Sequence, residues 1–296
     1  MLAAAALVVA LVSPQAAKPA AAPANAGEVT FGSEVLKTGT KLTVTSELVW
    51  NSITERPGRS GNETISTGLN TGTANFTATV VHSDTSLDRV KFEFAKCPFS
   101  ATPPVKNAPT ELKVSTKTYE VSTPDGKETV VDGGGAPVPE LELMALHDYT
   151  RPLIGGLPLV SVLGGKTIKR GEAVDVPWEA SATAFTGFRR MAQGGTTTLT
   201  LTDERVVDGQ ECAVFKVAAT VPQLGNAQFR SRVEIECTGE VVVTKRHCLV
   251  VGVTSEGVYV FPDAKGGASG KKPAKDAKPA KDAPKKETWK YHVVLG

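Results

Sequence analysis

Valine and threonine together supply 69 of the 296 residues, and they recur in short alternating runs along the whole chain. Both are β-branched, so they lie on a pleated strand at little cost in side-chain freedom. Alternation places one set of side chains on a buried face and the other in water. Runs at 41–49, 75–81, 89–94 and 118–122 therefore read as strands in the first half. Runs at 197–201, 211–221, 228–237, 240–244 and 248–254 read as strands in the second. Turn signals stand between them at Pro124-Asp125-Gly126, Asp208-Gly209 and Ser255-Glu256-Gly257. Residues 55–73 and 99–110 are polar and rich in Gly and Pro, and read as loops.

An internal repeat organises the runs. Leu36-Lys37-Thr38-Gly39-Thr40-Lys41-Leu42-Thr43-Val44 matches Ile168-Lys169-Arg170-Gly171-Glu172-Ala173-Val174-Asp175-Val176 at an offset of 132. The match predicts duplication of one β-rich unit. The only good helix signal lies between the halves. Pro139 and Glu140 suit a helix start, and Leu141, Leu143, Met144, Leu146 and His147 follow at helical spacing. A second apolar run occupies 157–163, and both segments are expected to pack against a sheet face. The expected fold is mainly β with minor α: two similar antiparallel β-rich units, 27–138 and 166–262, with a short helical connector at 139–165.

Compartment follows from the two ends. Residues 2–12 form a continuous apolar run, of signal-peptide length and too short for an ordinary membrane span. Ala24-Asn25-Ala26 then offers small residues at −1 and −3, so cleavage is expected after Ala26 and the mature protein is expected to be soluble, periplasmic or extracellular. The net charge of +2 hides a segregation, because residues 263–290 alone carry nine Lys against three Asp and one Glu. The stretch 263–286 includes a direct Lys-Pro-Ala-Lys-Asp-Ala repeat that cannot bury a core, and reads as a disordered loop. Residues 257–261 before it and 287–295 after it have strand character and are expected to pair, with 287–296 as a closing strand. The loop is read as a solvated spacer. Its alternative use is weak contact with an anionic surface through Lys271, Lys272, Lys275, Lys278, Lys281, Lys285 and Lys286, with no specific nucleic-acid binding.

Cys97, Cys212, Cys237 and Cys248 lack the close spacing of a zinc site, so in an oxidising compartment they read as disulfide candidates. If the chain turns at 222–226, facing residues sum to about 449, which Cys212 and Cys237 satisfy. That pair is preferred, with Cys97 and Cys248 as weaker candidates. Catalytic signals are poor. His147-Asp148 adjoin in sequence, but a general base needs its carboxylate in space, and a histidine there is expected to cap the helix. His82-Ser83-Asp84 reads as a polar turn, and His247-Cys248 lies in an expected strand. No G-x-S-x-G or H-E-x-x-H occurs, and Gly133-Gly134-Gly135 carries no dinucleotide fingerprint. No catalytic residue, metal ligand or cofactor is therefore expected.

The export signal, the L-K-x-G-x-x-L strand at 36–42, the hairpin at 117–130, the amphipathic segment at 139–148 and a second such unit at 168–261 resemble uncharacterised exported bacterial proteins and lipoproteins with a duplicated β-rich domain. The resemblance implies a non-cytoplasmic location and carries no activity or catalytic residues. Lipidation is not implied, since no cysteine follows the apolar run. The expected function is a non-enzymatic envelope protein with a binding or structural role. The rival is a periplasmic carrier of a hydrophobic ligand or lipid, held between a curved sheet and the segments at 139–163.

Overall fold

A computed structural model describes residues 27–58, 61–83, 87–102, 109–123, 127–154, 157–185, 194–223, 233–260 and 286–295. The expected export signal, with its cleavage site at Ala26, and the lysines from Lys271 to Lys285 lie outside the described residues. The chain runs through β1 (Glu28–Thr30), β2 (Lys41–Gly58), β3 (Gly61–His82), β4 (Arg89–Phe94), β5 (Phe99–Thr102), β6 (Thr118–Ser122) and β7 (Thr129–Asp132). Helix α1 (Glu140–Thr150), a 3-10 turn (Arg151–Leu153) and α2 (Val160–Leu163) follow. Then come β8 (Thr167–Lys169), β9 (Ala173–Val176), α3 (Trp178–Ala184), β10 (Thr196–Val207), β11 (Gln210–Gln223), β12 (Val233–Thr244), β13 (Val250–Val260) and β14 (Lys286–Leu295).

The fold is mainly β. One antiparallel sheet has the order β7-β6-β4-β3-β2-β14-β13-β12-β11-β10-β9, with β5 paired to β3 off this path, and β1 pairs with β8 in a small second sheet. Two five-strand meanders can be traced within the large sheet, β2-β3-β4-β6-β7 and β9-β10-β11-β12-β13. β14 joins them. It pairs with β13 from Gly252↔His292 to Val258↔Lys286, and on its other side with β2 from Val49↔Thr288 to Leu42↔Leu295. The strand before the lysine stretch does pair with β14, but through Gly252–Val258 rather than 257–261, and β14 sits at the centre of the sheet.

Alternation explains which face is covered. Leu42, Val44, Ser46 and Leu48 of β2 are buried, as are Ala74, Phe76, Ala78 and Val80 of β3, while the residues between them are exposed or half-buried. The buried face continues through Phe92, Tyr119, Leu199, Phe215, Val241 and Val253 into one apolar core. That core also contains Val29, Phe31, Leu146, Tyr149, Leu153, Leu163, Ile168 and Phe185 from the covering segments. Phe31 stacks on Phe215 with ring centroids 5.9 Å apart. The covering layer is thus made by the N-terminal segment, α1 to α3 and β8, as the apolar spacing of the connector implies. Of the expected apolar positions of helix α1, Leu146 and His147 are buried and Leu143 packs on the core, whereas Leu141 is 71% exposed and Met144 50%; Tyr149 and Thr150 complete the inward stripe.

The two repeated motifs make the same turn. Thr40 N–H donates to Lys37 O at 3.0 Å, and Glu172 N–H to Lys169 O at 2.9 Å. Gly39 and Gly171 both have positive φ, +87° and +82°, which glycine adopts without Cβ strain. Each turn then docks on the neighbouring strand: Gly39 N–H on Val80 O at 2.8 Å, and Gly171 N–H on Leu201 O at 2.7 Å. Leu36 and Ile168 are buried before their turns.

Several expected boundaries are corrected. The loop expected at 55–73 is the tip of a long β2–β3 ribbon, and part of the 99–110 loop is β5. Pro57 is tolerated because no third strand among the described residues pairs with β2 beyond Val49. Strands expected at 228–237 and 240–244 are one strand, β12, and the turn expected at 255–257 is the middle of β13. Gly239 explains why a turn residue sits inside a strand: a Cβ there would press into Thr254 O and Ser255 of β13. The glycine serves close backbone approach, not chain reversal.

The preferred disulfide is corrected as well. β11 and β12 pair so that facing residues sum to 456, with Cys212 opposite Thr244 and Cys237 opposite Ala219. The two cysteines are therefore far apart along the hairpin, because the chain reverses later than the 222–226 turn assumed. All four cysteines, Cys97 and Cys248 included, are free and buried.

Gly239→Ala is expected to destabilise the protein by about 1–3 kcal/mol, since backbone rather than a side-chain tip blocks the added methyl. Gly134→Ala, where the nearest atom lies at 3.4 Å, serves as the control and should leave urea unfolding nearly unchanged.

Candidate functional site

The outer face of β4, β6 and β7 carries a cleft. Because side chains alternate, Arg89, Lys91 and Glu93 of β4 share that face with Thr118 and Glu120 of β6 and Val131 of β7. The wall beyond them is the turn after β7. Asp132 Oδ1 accepts hydrogen bonds from Gly134 N–H at 2.9 Å and Ala136 N–H at 2.8 Å, and Gly135 N–H donates to Asp132 O at 2.9 Å. Gly135 has φ +84°, and a Cβ at Gly133 would lie 3.2 Å from Thr118 Cβ. The glycines therefore let the turn bend back and lie close to β6. The cleft so formed has a volume of about 520 Å³ and is lined by Arg89, Lys91, Thr118, Tyr119, Glu120, Val131 and Asp132, with Gly133 and Gly135 of the turn. That size is within the usual range of small-ligand sites.

Its charges are partly paired. Arg89 Nε lies 2.5 Å from Glu120 Oε1, and Lys91 Nζ lies 2.8 Å from Glu93 Oε1. The hydrogen bond and positive charge of Lys91 hold the Glu93 carboxyl below its ordinary range. These exposed pairs orient side chains more than they stabilise the fold.

Beneath the cleft the hairpin is pinned to α1 at two points. Tyr119 Oη donates to Glu142 Oε1 at 2.7 Å, and Lys117 bonds the other oxygen of the same carboxylate. Burial, reinforced by the Glu142 carboxylate, raises the Tyr119 pKa, so the phenol stays protonated and donates. Further along α1, His147 Nε2 lies 2.6 Å from Glu128 Oε1, and Arg151 Nη1 lies 3.5 Å from Oε2. The carboxylate beside His147 is thus Glu128, at the entry to β7, rather than the sequence neighbour Asp148. The proximity sets this end of the helix against the start of the hairpin. A hairpin held this way presents its outer face as a preorganised surface.

The other chemistry-bearing residues are dispersed. His82 Nδ1 is 3.3 Å from Asp88 on the surface, and His247 Nδ1 is 2.8 Å from Glu34 O. Ser115 Oγ donates to Glu111 Oε2 at 2.6 Å and accepts from Cys97 N–H at 3.1 Å, which ties the segment before β6 to the end of β4. Among the described residues no group of three or more His, Cys, Asp and Glu side chains could hold a metal ion, and no helix is long and apolar enough to cross a membrane. Sequence reasoning assigned no role to Arg89, Lys91 or Asp132. The available signal was the alternating charge of β4 and the Asp-Gly-Gly-Gly turn, which become a site only when β4, β6 and β7 lie side by side. Comparison with known proteins finds no matching family model and no matching curated protein.

Burial raises the thiol pKa of Cys97, pushes Cys212 up to about 11 and pushes Cys248 up to about 12. Reactivity requires the thiolate and access to it. Iodoacetamide at pH 8 should therefore leave the native protein unmodified and add four adducts after denaturation without reductant, as read by intact mass.

Proposed function

We propose that this chain is an exported, non-enzymatic protein of the bacterial envelope with a binding role, and that the cleft over β4, β6 and β7 is its binding site. The observation that carries the reading is that cleft: about 520 Å³, open on the outer face and braced from below by the Tyr119 and Lys117 hydrogen bonds to Glu142. Its lining contains cations, carboxylates and a hydroxyl, groups suited to recognising a polar ligand. The apolar run at 2–12 and the small residues before Gly27 support export. Four buried thiols are compatible with an oxidising compartment, because a thiol without thiolate or access neither exchanges nor oxidises readily. Fractionation of expressing cells, with N-terminal sequencing, should find the protein outside the cytoplasm beginning at Gly27. A cytoplasmic protein retaining Met1 would overturn the export half of the proposal.

A second reading, the carrier of a hydrophobic ligand, is favoured by a different observation. Ser46 Oγ, Thr197 Oγ1 and Ser255 Oγ are buried on the covered face without a hydrogen-bond partner. Each orphaned hydroxyl costs about 1–3 kcal/mol unless a water or a ligand group meets it. Ser255→Ala discriminates. If nothing occupies that face, the variant should match or exceed the parent in thermal stability. If a lipid is held there, native mass spectrometry should show it on the parent and less of it on the variant.

A further inference from the structure

We propose that the outer cleft takes an acidic saccharide, a polyhydroxylated ligand bearing a carboxylate. The inference rests on the binding role given above and names the ligand's chemistry.

The cationic wall is built to grip a planar oxyanion. Arg89 engages Glu120 through Nε, and its side chain is 51% exposed. Its terminal nitrogens are the side of the fork that pairs with a carboxylate. Lys91 stands two positions along the same strand face, so its ammonium reaches the same wall. The opposite wall offers acceptors for hydroxyl groups. Thr118 and Glu120 supply a hydroxyl and a carboxylate on the outer face, and Asp132 at the rim is tied by Oδ1 into its own turn. The Gly133–Gly135 turn carries no side chains, so a flat ring can approach its backbone.

The same geometry argues against two other ligand classes. A phosphate is best received by free backbone N–H groups, but those of Gly134, Gly135 and Ala136 are all taken by Asp132. Two carboxylates in the lining also oppose a dianion. An extended peptide adds to an open strand edge, yet the outer edge of β7 is already closed by Asp132 N–H to Ala136 O at 2.9 Å and by the Val131–Pro137 bridge. A single carboxylate on a body rich in hydroxyls fits what remains.

The test titrates the full chain, by NMR and calorimetry, with three probes: an oligogalacturonate, the neutral galacto-oligosaccharide of the same length and inorganic phosphate. The acidic sugar should shift resonances of β4, β6 and the 132–136 turn. The neutral sugar should bind at least about tenfold more weakly, the worth of one charge-assisted hydrogen bond. Arg89→Gln and Lys91→Gln, both at exposed positions, should each weaken the acidic sugar while leaving the melting temperature unchanged. Equal binding of acidic and neutral sugars at the cleft, or binding indifferent to both substitutions, overturns the carboxylate assignment and leaves the binding cleft standing. Phosphate binding tighter than the acidic sugar overturns it likewise. No perturbation at the cleft by any probe overturns the ligand class, and with it the reading of this cleft as the binding site.

Discussion

The hydrogen-bonded seating of β14 between β2 and β13 is the constraint on which the rest of the molecule depends. Each meander is built from neighbours in sequence, and among the described strands the two are paired into one sheet through this last strand. Without it, β2 and β13 would each present a long row of unpaired amides and carbonyls. With it, the main path of the large sheet ends at β7 and β9, which have four residues each. The turn returning from β7 covers one of these edges, and Pro177 follows the other. The cost is kinetic, since residues 42–49 pair with β3 locally but must wait for residues 288–295 on their other edge.

A sheet this wide needs a cover, and the chain supplies one from segments that are individually too short to be stable. The N-terminal segment passes from β8 to the turn after β12, where Gly32 N–H donates to Lys245 O at 2.7 Å, and on to β3. Arg246 meets Glu34 at 2.6 Å on that path. Helix α1 brings Tyr149 down onto Gly72, where any side chain would displace the phenol oxygen. The covered face is thereby closed from both halves, and the outer face is left free to carry polar side chains and the cleft. The proposed binding cleft lies on the side of the sheet that packing does not use.

Local physics was legible in the chain. Arg89–Phe94 and Thr118–Ser122 alternate cleanly, and their boundaries fell where the pattern placed them. Asp208-Gly209 reversed the chain as a two-residue hairpin turn, with φ of +48° and +77° at its two central residues. The matched turns at Gly39 and Gly171 could be aligned by residue type alone. Pattern failed where a residue's meaning depended on a distant strand. Gly239 and Gly257 looked like reversals because glycine usually ends strands, yet each is paired on both sides. Leu141 and Met144 matched a helical stripe, but the sheet lies under the neighbouring stripe instead.

The sequence by itself determined what is decided within a few residues: strand character, turn chemistry, the position of α1 and the segregation of charge. Those follow from backbone sterics and side-chain branching, which act locally. Tertiary structure decided the register of β11 on β12, and so kept Cys212 and Cys237 apart. It also decided the central place of β14, the choice of Glu128 as partner to His147, and the assembly of Arg89, Lys91 and Asp132 around one cleft. Each of these depends on how far a hairpin runs before reversing and on which strand lies beside it. Such quantities are set by burial summed over the whole sheet, which no short stretch of residues encodes.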